Sequence, residues 1–170
     1  MSRVAAVVLA AGEASRFGSP KQNLLLPAVL ERLDATSVDQ VVVVQGAHRL
    51  ETSARVVECP AWSRGPGASL RCGLEVLDDD VAAVVVVLAD GPDLSPQAVE
   101  RVLAEWRSQG GVVAASYDGA RGHPLVLGRE DWREIPDEGL RDQPVRLVPC
   151  DDLGAPGDVD TPADLDGGGV

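Results

Sequence analysis

Aromatic residues are nearly missing from this chain: three Trp, one Tyr and one Phe make up 3% of its 170 residues. Any core must therefore be built from Val, Leu and Ala. Cations are scarce as well, 15 Lys and Arg against 27 Asp and Glu, for a formal charge of −12. That balance argues against a broad nucleic-acid or anionic-membrane surface, and makes the few cations in glycine-rich loops matter locally. No apolar run is long enough to span a bilayer; the longest, Val81 to Ala89, falls far short. The chain enters an apolar run within a few residues of Met1, so no signal peptide is expected and the setting reads as cytoplasmic. Cys59, Cys72 and Cys150 have no C-x-x-C spacing and no His at metal-ligand distances. They are expected to be three buried thiols in a reducing cytosol. Two common phosphate-binding signatures are also absent. No Gly-Lys is followed by Ser or Thr, and Ala10 and Ala11 stand where a Gly-x-Gly-x-x-Gly turn needs glycine.

What is present is a set of short valine-rich runs: Val4–Leu9, Val41–Val44, Val84–Leu88 and Val112–Ala115. Such continuous β-branched runs suit strands covered on both faces. Helix-like stretches lie between them, at Pro27–Leu33, at Ala68–Leu77, and from Pro96 with Ser95 as N-cap. Alternating strand and helix implies a parallel sheet that binds ligands beyond the carboxyl ends of its strands. Later come a turn at Gly119–Gly122, short strands at Leu125–Leu127 and Val145–Val148, and a helical turn within Glu130–Glu134. Asp151–Asp160 is an acidic loop and Thr161-Pro162 a helix start. The expectation is one domain over residues 1–166, with 167–170 a tail.

The first strand runs into Ala10-Ala11-Gly12, followed by Arg16, Gly18 and Lys21. Small residues let backbone N–H groups approach phosphate oxygens, and the cations neutralise them. Asp90 ends the most apolar run, where a rigid carboxylate suits a hard cation such as Mg²⁺; a turn aspartate before Pro92 would look the same. Asp158 and Asp160 place two carboxylates on one side of an extended segment, either of them a second metal ligand, or else part of an acidic surface turn. Gly65, Gly67 and Ser69 open a helix from a glycine-rich loop that could lie against a base or phosphate. His123, between Gly122 and Pro124, and Arg141, after Gly139-Leu140, are each readable as ligand-binding or as structural.

Taken in order, these pieces resemble the molybdenum cofactor nucleotidyltransferases, most closely the cytidylyltransferase branch. That family carries L-A-A-G-x-S-x-R-x-G-x-x-K, P-x-W-x-x-G-x-x-x-S-L-R-x-G-L, L-A-D-x-P, G-H-P and D-x-D-T-P. Here the blocks stand at Leu9–Lys21, Pro60–Leu74, Leu88–Pro92, Gly122–Pro124 and Asp158–Pro162. The resemblance implies a Rossmann-like three-layer α/β/α nucleotidyltransferase with a mostly parallel sheet. It implies a nucleoside triphosphate substrate, CTP favoured over GTP because the guanylyl branch more often has Ala-Gly-Gly. Leu9, Ala10, Ala11, Gly12, Arg16, Lys21, Gly67 and Ser69 would bind the nucleotide, and Lys21, Arg16 and Asp90 would carry catalysis. Asp90 and Asp160 would hold Mg²⁺, and His123 and Arg141 would face a molybdopterin-type acceptor. A molybdoenzyme or its maturation factor is the protein partner implied.

The chain departs from the family pattern at Ala14, where Ser is usual, and at Gly91, where Gln is usual. The segment after Lys21 is also short, by about ten residues. A nucleotidyltransferase for another phosphorylated acceptor, and a nucleotide-binding module without turnover, are the competing readings.

Overall fold

The computed structural model describes residues 2–11, 21–47 and 49–157, with the side chains of 21–23 outside the description. Gly12, Arg16, Asp158 and Asp160 fall outside it, as does the side chain of Lys21.

The valine-rich runs form the centre of a seven-stranded sheet. In chain order the elements are β1 (Arg3–Ala10), α1 (Lys21–Asp34), β2 (Gln40–Gln45), β3 (Arg55–Glu58), α2 (Pro66–Leu74), β4 (Val81–Leu88), α3 (Pro96–Gln109), β5 (Val112–Tyr117), β6 (Ala120–Gly128) and β7 (Arg146–Pro149). The strand order is β3-β2-β1-β4-β6-β5-β7. Only β6 runs against the others, antiparallel to both β4 and β5. The remaining ladders are parallel.

Side chains alternate across each strand, so every central strand feeds two core layers. Val4, Ala6 and Val8 of β1 pack with Leu26, Val29 and Leu33 of α1 and with Val99, Val102 and Leu103 of α3. Ala5 and Val7 point the other way, towards Leu70 and Leu74 of α2. Two helices on one face and one on the other make the three-layer α/β/α architecture expected from the resemblance.

Three local expectations are corrected. Helix α1 begins at Lys21, six residues before Pro27, which sits inside it. Proline removes only one helical hydrogen bond, and the apolar stripe of Leu25, Leu26, Val29 and Leu33 buries the helix regardless. Strand β3 was not expected; its Arg-Val-Val-Glu is a short, half-solvated edge strand with little apolar signal. Cys59 and Cys72 are not free thiols: they form a disulfide with Cα atoms 5.8 Å apart, within the usual range. Folding of α2 back beside the end of β3 creates that proximity, which spacing alone does not reveal. Cys150 is free and buried, as expected.

The turn expected over Gly119–Gly122 is shorter and earlier, because Asp118 and Gly119 supply both left-handed residues. The strand expected at Leu125–Leu127 runs from Ala120 to Gly128. Other local readings hold. Ser95 caps α3, its hydroxyl accepting from the Ala98 N–H at 3.3 Å, with Pro96 in the first turn. The hairpin turn into β6 is Asp118-Gly119, with φ of 54° and 79°, the left-handed geometry that Asp-Gly favours. The turn in Glu130–Glu134 is a 3-10 turn at Arg129–Asp131. Among the described residues, no helix is long and apolar enough to cross a membrane.

Candidate active site

Ligand crevices in open α/β sheets lie outside the carboxyl ends of the strands. Here the central strands at that edge are β1 and β4, which are adjacent and parallel. Their carboxyl ends are tied together by the Ala89 N–H donating to the Leu9 carbonyl at 3.1 Å. Ala10 and Ala11 follow, buried to 3% and 5% exposure in opposite core layers. Their methyl groups fill the core, which explains why both are small. Asp90 stands two residues beyond β4, in a turn closed by the Gly91 N–H on the Leu88 carbonyl at 3.2 Å.

The neighbouring strand opens the cleft. The β4–β6 ladder ends at Val86↔Leu125, although β4 continues to Leu88 and β6 begins at Ala120. Pro124 has no N–H to continue the ladder. On the other side, β5 pairing jumps from Ala114↔Leu125 to Ser116↔Arg121. Two extra β6 residues are therefore bulged out at 122–124, and bulges re-aim side chains. The bulge carries His123.

Two lobes meet along this parting, of about 510 Å³ and about 460 Å³. Leu88, Arg121, Gly122 and His123 line both. The first lobe has an apolar floor, including Leu9, Leu70 and Leu125, and a polar rim with Glu138 and Arg141. The second is walled by Gly91, Leu94, Tyr117 and Pro156.

Burial pushes the His123 imidazole below its ordinary pKa, and Arg121 pushes it further, against an opposing pull from Asp90. His123 therefore stays neutral near pH 7, able to donate from one nitrogen and accept at the other. Its carbonyl accepts from the Tyr117 hydroxyl at 2.7 Å. Burial, and then Cys150, holds that phenol protonated, with a pKa raised to about 12. A histidine with a depressed folded pKa costs stability when acid forces it to charge. That cost appears as pH falls below the unfolded value of about 6.5. The melting temperature of the wild type should thus fall more steeply below pH 6.5 than that of His123→Gln. Parallel curves from differential scanning fluorimetry would show that His123 charges without penalty.

The roof of the first lobe is latched to α2. The Arg71 guanidinium donates to the Ile135 carbonyl and to the Asp137 carboxylate. Arg64 pairs with the same carboxylate at 3.2 Å. The hydrogen bond from Arg71 holds the Asp137 carboxyl below its usual range, with Arg64 adding to the effect. The Gly67 N–H donates to the Asp137 carbonyl at 2.8 Å. Gly67 is pressed against the chain's own 136–139 segment, and Ser69 is buried with its N–H on the Gly65 carbonyl at 3.3 Å. Neither lines the two lobes. The glycine-rich loop shapes the pocket wall.

The acidic C-terminal loop is hung beside Asp90. The Asp93 N–H donates to the Pro156 carbonyl at 2.9 Å. A Cβ on Gly91 would stand 3.1 Å from Pro156 Cβ, so the missing side chain lets residues 155–157 approach. Gly157 is the last described residue, three before Asp160. Among the described residues, no group of three or more metal-ligating side chains is present.

Of the sequence-derived site residues, Leu9, His123 and Arg141 line the cleft, with Asp90 near enough to His123 to act on its charge. Arg121, Tyr117 and the Arg71–Asp137 latch were not anticipated. Arg121 stands two residues before His123, a signal that was available.

The family model for the MobA-like NTP transferase domain matches residues 6–149. The chain belongs to this family. It is a nucleotidyltransferase by that membership. Among curated relatives, a Cutibacterium acnes (strain DSM 16379 / KPA171202) bifunctional protein GlmU is 30% identical over 142 residues, covering 72% of this chain and 34% of the relative. The chain thus spans about a third of that relative's length. A Bacillus cereus (strain AH187) protein named probable molybdenum cofactor guanylyltransferase is 27% identical over 139 residues, covering 74% of this chain and 68% of that one. The crystal structure of Rv0371c from Mycobacterium tuberculosis H37Rv is similar, with TM-score 0.80, 28% identity and coverage of 97% and 96%. The same mycobacterial protein in complex with manganese gives TM-score 0.74, 26% identity and 97% coverage of each chain. The match takes in every lining residue of the first lobe and all of the second lobe's except those at 155–157.

Proposed function

We propose that this MobA-like chain transfers a nucleoside monophosphate, CMP by preference, from the triphosphate to the terminal phosphate of a molybdopterin-type acceptor. A phosphate oxygen of the acceptor bonds to the α-phosphorus, the α–β bridging bond breaks, and pyrophosphate leaves. The observation that carries this reading is the pair of lobes meeting at the end of β4, beside Asp90. Donor and acceptor each have a lobe-sized space, with the reacting phosphates between them. A phosphate oxygen is already anionic at neutral pH, so the protein must chiefly align the attack and stabilise charge.

In this reading Gly12, Arg16 and Lys21 hold the nucleotide phosphates. Lys21 stabilises charge as it develops, and Arg16 holds the leaving pyrophosphate. His123 and Arg141 face the acceptor. The donor chemistry fits a hard divalent cation: Asp90 is a carboxylate at a fixed strand end, and residues 155–157 bring the chain towards it three residues before Asp160. Asp160 is preferred over Asp158 as its partner by resemblance. Bound there, Mg²⁺ would neutralise charge on the transferred phosphoryl group; the mycobacterial structure named with manganese is in keeping with a divalent ion. Residues 1–166 form one domain in this reading, because all described strands share one sheet. The setting in this reading is cytoplasmic, although the Cys59–Cys72 disulfide is of a kind more usual in oxidising compartments. A molybdoenzyme or its maturation factor would receive the product.

GTP is the second reading, favoured by the guanylyltransferase name of the Bacillus relative. A screen of the four nucleoside triphosphates with Mg²⁺ and molybdopterin, read by pyrophosphate release, tests both. CTP should also protect against thermal unfolding more than GTP; a ligand at a hundredfold excess over its Kd stabilises by about 2.7 kcal/mol. Stronger protection by GTP would move the assignment to guanylyl transfer. No protection by any nucleotide would defeat the enzymatic reading.

A further inference from the structure

Arg121 differs from the arginines that are tied into ion pairs. Arg3 pairs with Asp78 and Asp80, Arg64 and Arg71 with Asp137, Arg101 with Asp152, and Arg146 with Glu105. Among the described residues, no carboxylate pairs with Arg121. Its guanidinium makes only long contacts, at 3.4 Å to the Arg141 carbonyl and 3.3 Å to the Gln143 carbonyl. Yet it lines both lobes of the cleft. In a chain with 27 acids and 15 bases, a cation without an acid in the floor of a cleft calls for an anion from outside.

Partial burial works against its charge, lowering its pKa from the ordinary arginine value. An anion on the guanidinium would offset that cost. Arginine presents a planar fork matched to two oxygens of one phosphate. Arg141 stands at the rim of the same lobe, and neutral His123 adds a third donor. Among the described residues, the carboxylate lining the first lobe is that of Glu138.

We propose that Arg121 is the core of a phosphate subsite that holds the phosphate monoester of the acceptor, at the junction of the two lobes. This rests on the nucleotidyl-transfer reading. Strand order assigns the phosphate to the acceptor and not to the nucleotide. The loop read as holding the triphosphate follows β1, Asp90 follows β4, and Arg121 begins β6 on the far side of β4. In-line displacement needs the attacking oxygen and the leaving pyrophosphate on opposite sides of the α-phosphorus. A cation across β4 from the β1 loop is placed for the attacking side.

The test uses inorganic phosphate as the probe, titrated calorimetrically into protein saturated with whichever nucleoside triphosphate gives the strongest thermal protection. Arg121→Gln should weaken phosphate binding at least tenfold and change nucleotide affinity less than twofold. Arg121→Lys keeps the charge but not the fork and should weaken phosphate binding several-fold; it carries the test if the Gln variant does not fold. In turnover, both variants should raise the acceptor KM with little change in that of the nucleotide. Equal phosphate binding by wild type and Arg121→Gln, or none by wild type, overturns the subsite. A tenfold loss of nucleotide affinity would transfer Arg121 to the donor side and overturn it equally. If no nucleotide binds the wild type, the nucleotidyl-transfer reading fails separately, and a titration without nucleotide still decides whether Arg121 holds phosphate.

Discussion

Asp90→Asn should lower pyrophosphate release by a factor of about 100–1,000 or more, equivalent to at least about 2.7 kcal/mol of barrier. The substitution keeps the side chain's size and removes its charge. Asp90 lies in a turn beyond β4, outside both core layers. The melting temperature should therefore move by no more than about 2 °C, a shift of under about 1 kcal/mol for a domain of this size. Three groups would feel the missing charge. In the proposed reading the divalent cation would lose a ligand and the reacting phosphates the ion beside them, and His123 loses the carboxylate that pulls its pKa upward. The last effect gives an internal check. In Asp90→Asn the His123 pKa should fall further, read by NMR of the imidazole. Full activity with Mg²⁺ present would remove Asp90 from the site. An unchanged His123 titration would place the carboxylate too far away to act on it.

The sheet was legible because its central strands are short, continuous and β-branched, the pattern of strands buried on both faces. Val4–Leu9, Val41–Val44, Val84–Leu88 and Val112–Ala115 all lie within observed strands. Edge strand β3 was not, because two apolar residues between charged ones carry no such signal. The N-terminus of α1 was misplaced because Pro27 was taken as a first-turn proline, when the buried stripe beginning at Leu25 outweighs one lost hydrogen bond. Around the cleft, residue chemistry and loop position singled out His123 and Arg141, which line it, and Asp90, which lies near His123. Arg121 was passed over because it was placed in the Gly119–Gly122 turn, where an arginine looks like a surface residue. Its significance comes from the parting of β4 and β6, which only the ladder registers reveal. Gly67 is a related case. A glycine that allows close approach does not say what approaches, and here it is the chain itself.

Gly67→Ala is the second substitution expected to have a large effect. A Cβ at this position would lie 1.7 Å from the Pro136 carbonyl oxygen, 2.8 Å from its carbon and 2.9 Å from the Gly139 nitrogen. All three are backbone atoms, so no rotamer change relieves the clash. The 136–139 segment must move away from α2, or α2 must tilt. Either way the Gly67 N–H loses the Asp137 carbonyl, and the Arg71 and Arg64 contacts to the Asp137 carboxylate are stretched. Overpacking of this kind costs about 1–3 kcal/mol, a fall in melting temperature of about 2–10 °C for a chain of this length. The functional consequence is specific. Residues 138–141 form one wall of the first lobe, so their displacement should raise the KM of whichever substrate occupies that lobe by at least fivefold. Occupancy by the acceptor predicts a rise in its KM with the nucleotide constant held within twofold. Arg71→Ala should reproduce the KM effect without the steric clash, because it releases the same segment by removing its anchor. The two variants together separate crowding from loss of the latch. If Gly67→Ala melts within 1 °C of wild type and both variants keep wild-type constants, the 136–139 segment does not shape the pocket.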